Sequence, residues 1–362
     1  MSCFTMLCLL LLGATVLLTS LCSAAIPRVL FADLERLSRL VDIAYCVGNT
    51  GVRKPFDCLS RCNDFPDMTL VTTWSTGLLR GDSCGYMALD GHGRGLIVAF
   101  RGTYSITNTI VDLSTMPQAY IPYTGHGAAS CRNCTVHMGF LQSWRSARSM
   151  ILPHLMALKA KDPAVPIHLI GHSLGGAIAC LAAVELKTLL GWKNVVVTTF
   201  GEPRVGNHQL ARFIDHVFQL DKVGNAASPW YRRVTHANDP VPLLPWDEWG
   251  YGSHAGEIFI SKKDLRPTDH DLKVCVGDND LSCSTQQRGI LGTDLGYLGS
   301  MTAVETRRGD ELTAASLPTR VKLWQLFFAH RDYFWRLGLC IPGGDPLDWG
   351  RGASMEPEPD EL

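Results

Sequence analysis

Gly171-His172-Ser173-Leu174-Gly175 reads G-x-S-x-G, a spacing that can turn a serine into a nucleophile. A serine hydroxyl reacts only when a base takes its proton and N–H donors wait for the charge that forms on the attacked carbonyl. The flanks suit that role. Residues 165–170 are a short, apolar, β-favouring run, and residues 176–186 are Ala/Leu-rich and helix-favouring. A sharp strand-to-helix turn strains the serine backbone, demands small residues two positions away and aims the N–H of Leu174 at a developing oxyanion.

The base and its orienting acid are sought after the serine, in the chain order Ser, Asp, His. The acids available are Asp215, Asp221, Asp239 and Asp247; Asp239 stands out because Asn238-Asp239-Pro240-Val241-Pro242 directly follows a predicted strand. Ligands gather at that end of a sheet, and proline fixes the loop that holds the carboxylate. Among His254, His270 and His330, the aromatic surroundings of His330 in Phe328-Ala329-His330-Arg331-Asp332-Tyr333-Phe334 make it the first choice of base, with His254 in reserve. His172 is expected to pack away from Ser173, and His137 to be structural.

A second oxyanion donor should come from the loop after an earlier strand, where Thr103 ends Phe100-Arg101-Gly102-Thr103. Beyond it, Ile106, Ile110 and Leu113 fall on one face of a helix, opposite Asn108, Thr109 and Asp112. This stretch is either a core-packed helix or a lid, about residues 104–120, whose Ile106, Ile110, Val111 and Leu113 meet substrate.

The elements that must carry these groups alternate. A helix is expected over 31–47, strands at 86–89 and 95–100, and a helix within 136–160. The elbow strand and helix follow, then strands 195–200 and 231–235, with 257–260 as an antiparallel edge. That order predicts an α/β fold with a central, mostly parallel sheet. Residues 286–320 break the pattern as a Gly/Thr/Arg-rich insertion containing Arg307-Arg308, and 342–362 form an acidic, Pro-rich tail.

The chain has 362 residues, 46% hydrophobic and 19% charged, with a formal net charge of −1. That composition suits a large core, and without a basic stripe nucleic acid is a poor partner. Residues 1–25 carry an apolar run followed by small residues, the pattern of a secretory signal peptide, although no Lys or Arg precedes the run. Of thirteen cysteines, ten lie beyond that segment, which fits an oxidising compartment. Proximity suggests Cys58–Cys62, Cys131–Cys134 and Cys275–Cys283, while Cys46–Cys340 would tie the two ends of the domain; spacing alone does not fix connectivity. Cys180 is expected to be a buried thiol, and Asn133-Cys134-Thr135 is a glycosylation sequon.

These motifs together resemble the secreted fungal lipases of the class 3 family. The matching residues are Tyr45-Cys46, Phe100–Thr103, Val136-His137-Met138-Gly139-Phe140, Gly171–Gly176, Gly201-Glu202-Pro203-Arg204-Val205-Gly206-Asn207, Asn238–Pro242, and His330 with Tyr333-Phe334, within residues 40–341. The resemblance implies an α/β-hydrolase fold with helices on both faces and a short helical lid. It also implies a triad of Ser173, Asp239 and His330 and an oxyanion hole from Thr103 and Leu174. The four cysteine pairings resemble those of secreted members. The departures are the 286–320 insertion, Cys84 without an assigned partner and the acidic tail. The expected protein is a secreted, monomeric triacylglycerol lipase that needs no cofactor or metal, acts on acylglycerol and touches the lipid interface through its lid. A mono- and diacylglycerol lipase, a phospholipase, a feruloyl esterase or a silent lipid-binding relative are the alternatives.

Overall fold

The computed structural model describes residues 25–77, 83–103, 117–120, 131–222, 224, 226–287 and 328–341. The proposed signal segment up to residue 24, the lid residues Ile106, Ile110, Val111 and Leu113, the insertion from 288 onward and the tail lie outside them.

In chain order the elements are α1 (Arg28–Ile43), β1 (Met68–Ser75), β2 (Cys84–Asp90), β3 (Gly95–Phe100), β4 (Pro117–Ala119), β5 (Thr135–His137), α2 (Met138–Lys161), β6 (Ile167–His172), α3 (Leu174–Thr188), β7 (Val195–Phe200), β8 (Gly206–Asn207), α4 (His208–Phe218), β9 (Tyr231–His236), β10 (Tyr251–Gly252), β11 (Glu257–Ile260) and β12 (Leu272–Val274). Eight strands form one sheet in the order β1-β2-β3-β6-β7-β9-β11-β12, and β10-β8-β5-β4 form a small second sheet. β3, β6, β7, β9 and β11 run parallel, so the sheet is the mostly parallel one of an α/β-hydrolase fold.

Strand side chains alternate between two layers. Leu96, Val98 and Phe100 join the core that holds α2 and α3, whereas Ile97 and Ala99 join the core under α1. α1 buries Leu34, Leu37, Leu40 and Val41 on the face it turns to the sheet. α3 differs, because every residue from Gly175 to Leu186 is buried. A helix buried on every side belongs inside; its one acidic residue there, Glu185, is bonded to Trp144 and Arg148, and its small residues let it approach β6 closely.

One expectation about a strand is corrected, and one strand is added. Glu257–Ile260 is not an antiparallel edge: it lies parallel to β9 and has β12 on its other side, so Leu272–Val274 is the antiparallel edge. Met68–Ser75 is an additional strand at the opposite edge, paired antiparallel with β2.

Disulfides join Cys46–Cys340, Cys58–Cys62, Cys131–Cys134 and Cys275–Cys283. Cys84 and Cys180 are buried outside them. Among the described residues no helix is long and apolar enough to cross a membrane.

Candidate active site

β6 ends at His172, and α3 starts at Leu174. The residue between them, Ser173, has φ 57° and ψ −130°, a conformation L side chains rarely adopt. The flanking glycines make the turn possible. A Cβ on Gly171 would fall 2.2 Å from the Gly175 carbonyl oxygen, and one on Gly175 would fall 2.3 Å from that of Phe100. The turn is pinned by Ser173 N–H donating to Phe200 O at 2.9 Å and Gly176 N–H donating to Ser173 O at 2.8 Å. Ser173 thus stands at the N-terminus of α3, where the helix dipole favours negative charge.

The loop after β3 comes close to this turn. A Cβ on Gly102 would lie 2.9 Å from the Ser173 Cβ and 2.5 Å from the Tyr45 hydroxyl. Only glycine lets the backbone carrying Thr103 approach the serine so nearly.

Asp239 follows β9 and is buried. The preceding Asn238 sits at φ 67°, which turns the chain back over the sheet end. The Asp239 carboxylate accepts from His330 Nδ1 at 2.9 Å to each oxygen, from Val241 N–H at 2.9 Å and from the Tyr333 hydroxyl at 2.5 Å. Burial, then the neighbouring Asp239 charge, raises the Tyr333 pKa well above the usual phenol value, so Tyr333 stays a donor. With Nδ1 donating, the lone pair of a neutral His330 is on Nε2. His330 Nε2 and Ser173 Oγ are both buried and have no hydrogen-bond partner among the described residues.

The other histidines have different tasks. His254, the reserve base, pairs with a different carboxylate from the one that holds His330. It is buried and directs Nε2 at Glu202 Oε1, 3.1 Å away, and Nδ1 at Ala255 O, 2.8 Å away. Glu202 also accepts from Thr199 and Tyr231, so this is a closed polar knot in the core. His137 stacks on Phe140 at 4.1 Å between ring centroids. His172 faces the Tyr45 hydroxyl and the His330 carbonyl. No local pattern in the sequence points to the bonds of Tyr45 and Tyr333, although Tyr333 lies three residues after His330.

Two groups have metal-ligand types close together, Cys180/Glu202/His254 and Cys275/Asp280/Cys283. The second has its sulfurs in a disulfide. In the first, burial raises the Cys180 thiol pKa well above its usual value, which opposes the thiolate a metal needs, and His254 is already bonded to Glu202.

Comparison with known proteins gives the family. Residues 97–249 match the family model described as Lipase (class 3). The chain is 56% identical over 358 residues to a secreted mono- and diacylglycerol lipase 2 of Gibberella zeae, covering 92% of this chain and 88% of that one. It is 53% identical to Lipase A of Sodiomyces alcalophilus, covering 94% and 90%. Among solved structures, the Lip2 lipase of Yarrowia lipolytica superposes with a TM-score of 0.70 at 27% identity, covering 88% of this chain and 97% of that one.

Proposed function

The chain belongs to the class 3 lipase family and is a carboxylic ester hydrolase, and from that premise we propose that it cleaves triacylglycerol at a lipid–water interface through Ser173, Asp239 and His330. Ser173 Oγ attacks the ester carbonyl while His330 Nε2 takes its proton. The N–H groups of Thr103 and Leu174 stabilise the tetrahedral oxyanion. His330 returns the proton to the glycerol oxygen, which leaves, and an acyl-enzyme remains. Water, deprotonated by the same Nε2, then attacks the acyl-enzyme and releases the fatty acid. Asp239 holds the tautomer and offsets the imidazolium charge without being protonated itself.

The observation that carries this reading is the Asp239–His330 pair at 2.9 Å, which leaves His330 Nε2 buried with no partner among the described residues, as is the Oγ of the strained Ser173. The sequence from 104 to 120 supplies the lid in this account, and residues 1–25 direct secretion. Support for secretion is that the Gibberella zeae relative is named a secreted lipase. The enzyme works as a monomer in residues 26–341, with the 286–320 insertion as a loop and 342–362 as a tail.

A second reading restricts the substrate to mono- and diacylglycerols, favoured by the name of that 56% identical relative. Rates on emulsified tri-, di- and monoglycerides, phospholipid and methyl ferulate, taken below and above substrate solubility, separate the two. Triglyceride turnover that rises above the solubility limit supports the first reading. Turnover of partial glycerides alone supports the second, and a preference for methyl ferulate or phospholipid contradicts both.

A further inference from the structure

A buried hydrogen-bonded chain runs beside the nucleophile, and none of the chemical steps above uses it. Tyr45, His172 and His330 are 1%, 2% and 1% exposed. Tyr45 lies in the turn after α1, next to Cys46, whose disulfide to Cys340 anchors the segment that follows His330. Its hydroxyl is 2.6 Å from His172 Nδ1 and packs against Gly102, where a Cβ would fall 2.5 Å from the same oxygen. His172 Nε2 is 2.8 Å from the His330 carbonyl oxygen, and the two imidazole rings lie 4.6 Å apart at 32°.

Chemistry sets the direction of each bond. A carbonyl oxygen only accepts, so His172 Nε2 carries a proton. Burial, and then the charge on His330, holds the His172 pKa well below the ordinary histidine value, so the ring has just that one proton. Nδ1 is therefore an acceptor, and Tyr45 is its donor. Burial also raises the Tyr45 pKa, which keeps the phenol protonated. The bonds run from Tyr45 O–H to His172 Nδ1 and from His172 Nε2–H to the His330 carbonyl, with Gly102 packed against the Tyr45 oxygen.

We propose that Tyr45 and His172 are positioning residues that hold the oxyanion loop and the general base in register on either side of Ser173. The inference rests on the Ser173–Asp239–His330 reading. One end of the link packs on Gly102 and so backs the chain that carries Thr103; the other is bonded to the backbone of His330. These groups come from distant parts of the chain, yet acyl transfer needs the oxyanion donor and the base correct at the same instant. Misplacement of about 1 Å in such a site costs about a hundredfold in rate. A neutral His172 serves the same end, since a second cation against the His330 ring would oppose the imidazolium that must form.

The test uses the full secreted enzyme, a soluble p-nitrophenyl ester and active sites counted with a fluorophosphonate. The variants are Tyr45→Phe, His172→Leu and His172→Gln. A glutamine amide nitrogen reaches the Nε2 position and still donates to the His330 carbonyl, whereas leucine cannot. Tyr45→Phe and His172→Leu should lower kcat per titrated site by about tenfold or more with KM within about twofold, and His172→Gln, which keeps the bond to the His330 carbonyl but has no acceptor for Tyr45, should lose about as much as Tyr45→Phe and clearly less than His172→Leu. Unchanged kcat per site in Tyr45→Phe, whatever its melting temperature, overturns the proposal. So does His172→Gln being as impaired as His172→Leu. If the wild-type enzyme gives no Ser173 adduct, the triad reading fails instead, before the link is reached.

Discussion

The Tyr333 hydroxyl lies 2.5 Å from Asp239 Oδ2 and donates to it. Asp239 is thereby held from a third side, besides His330 and the Val241 N–H. A hydrogen bond to a charged group contributes about 1.5–3 kcal/mol. Tyr333→Phe removes it without removing the ring packed against Phe200. The expected outcome is a fall in kcat/KM of about tenfold, because one kcal/mol-scale support of the carboxylate is lost. Stopped assays on a soluble ester, normalised to titrated sites, check it; wild-type kinetics would contradict the role given to Tyr333.

Gly102 is the second sensitive point. A Cβ there meets Tyr45, the His172 carbonyl at 2.8 Å and Ser173. In the proposed oxyanion hole, Gly102→Ala should push the Thr103 N–H out of place, and loss of one such donor costs about a hundred- to a thousandfold in kcat. Retention of the wild-type kcat would remove Thr103 from the oxyanion hole.

Cys46–Cys340 closes a long loop, 294 residues in sequence separation, and joins the end of α1 to the segment after His330. Phe31 against Phe334 and Asp42 accepting from Gly338 N–H at 2.9 Å run the same way. Replacing both cysteines by serine should cost about 2–5 kcal/mol of stability, read from the urea midpoint. An unchanged midpoint would mean that the packing alone secures this segment.

Acid should destabilise the fold before its surface carboxylates titrate. Burial is the first cause that holds His172 and His236 below the ordinary 6.5. Their contribution is complete above that pH. As pH falls below it, the unfolded chain binds protons that the folded chain refuses, and stability drops by up to about 1.4 kcal/mol per pH unit for each ring. Asp42 acts in the opposite sense: burial raises its carboxyl, so its contribution is full in acid and is lost as pH rises through the folded pKa. The melting temperature should therefore fall from about pH 7 to about pH 5. A flat or rising profile over that range would contradict the neutral state of His172 on which the positioning link depends.

Legibility in the sequence followed the range of the forces involved. The elbow could be read because Gly171 and Gly175 answer to atoms a few residues away or one strand over. Asp239 could be read because a polar turn with two prolines follows a buried run. Met68–Ser75 escaped because a register shift between Leu70 and Thr72 breaks its alternation, and its exposed face is threonine-rich. Glu257–Ile260 was misjudged because four buried residues look the same whether a strand has one neighbour or two. His254 lies among small polar neighbours, while its partner Glu202 is 52 positions away. Tyr45 and His172 are 127 apart, so no local pattern announces their bond.

The central claim is that Ser173 is the nucleophile. The most direct measurement is mass-spectrometric mapping of the enzyme after reaction with a fluorophosphonate, with Ser173→Ala as the control. The account predicts a stoichiometric adduct on Ser173, complete loss of triglyceride hydrolysis on labelling, and neither adduct nor hydrolysis in folded Ser173→Ala. An adduct on another residue, or near-wild-type hydrolysis by Ser173→Ala, would contradict it.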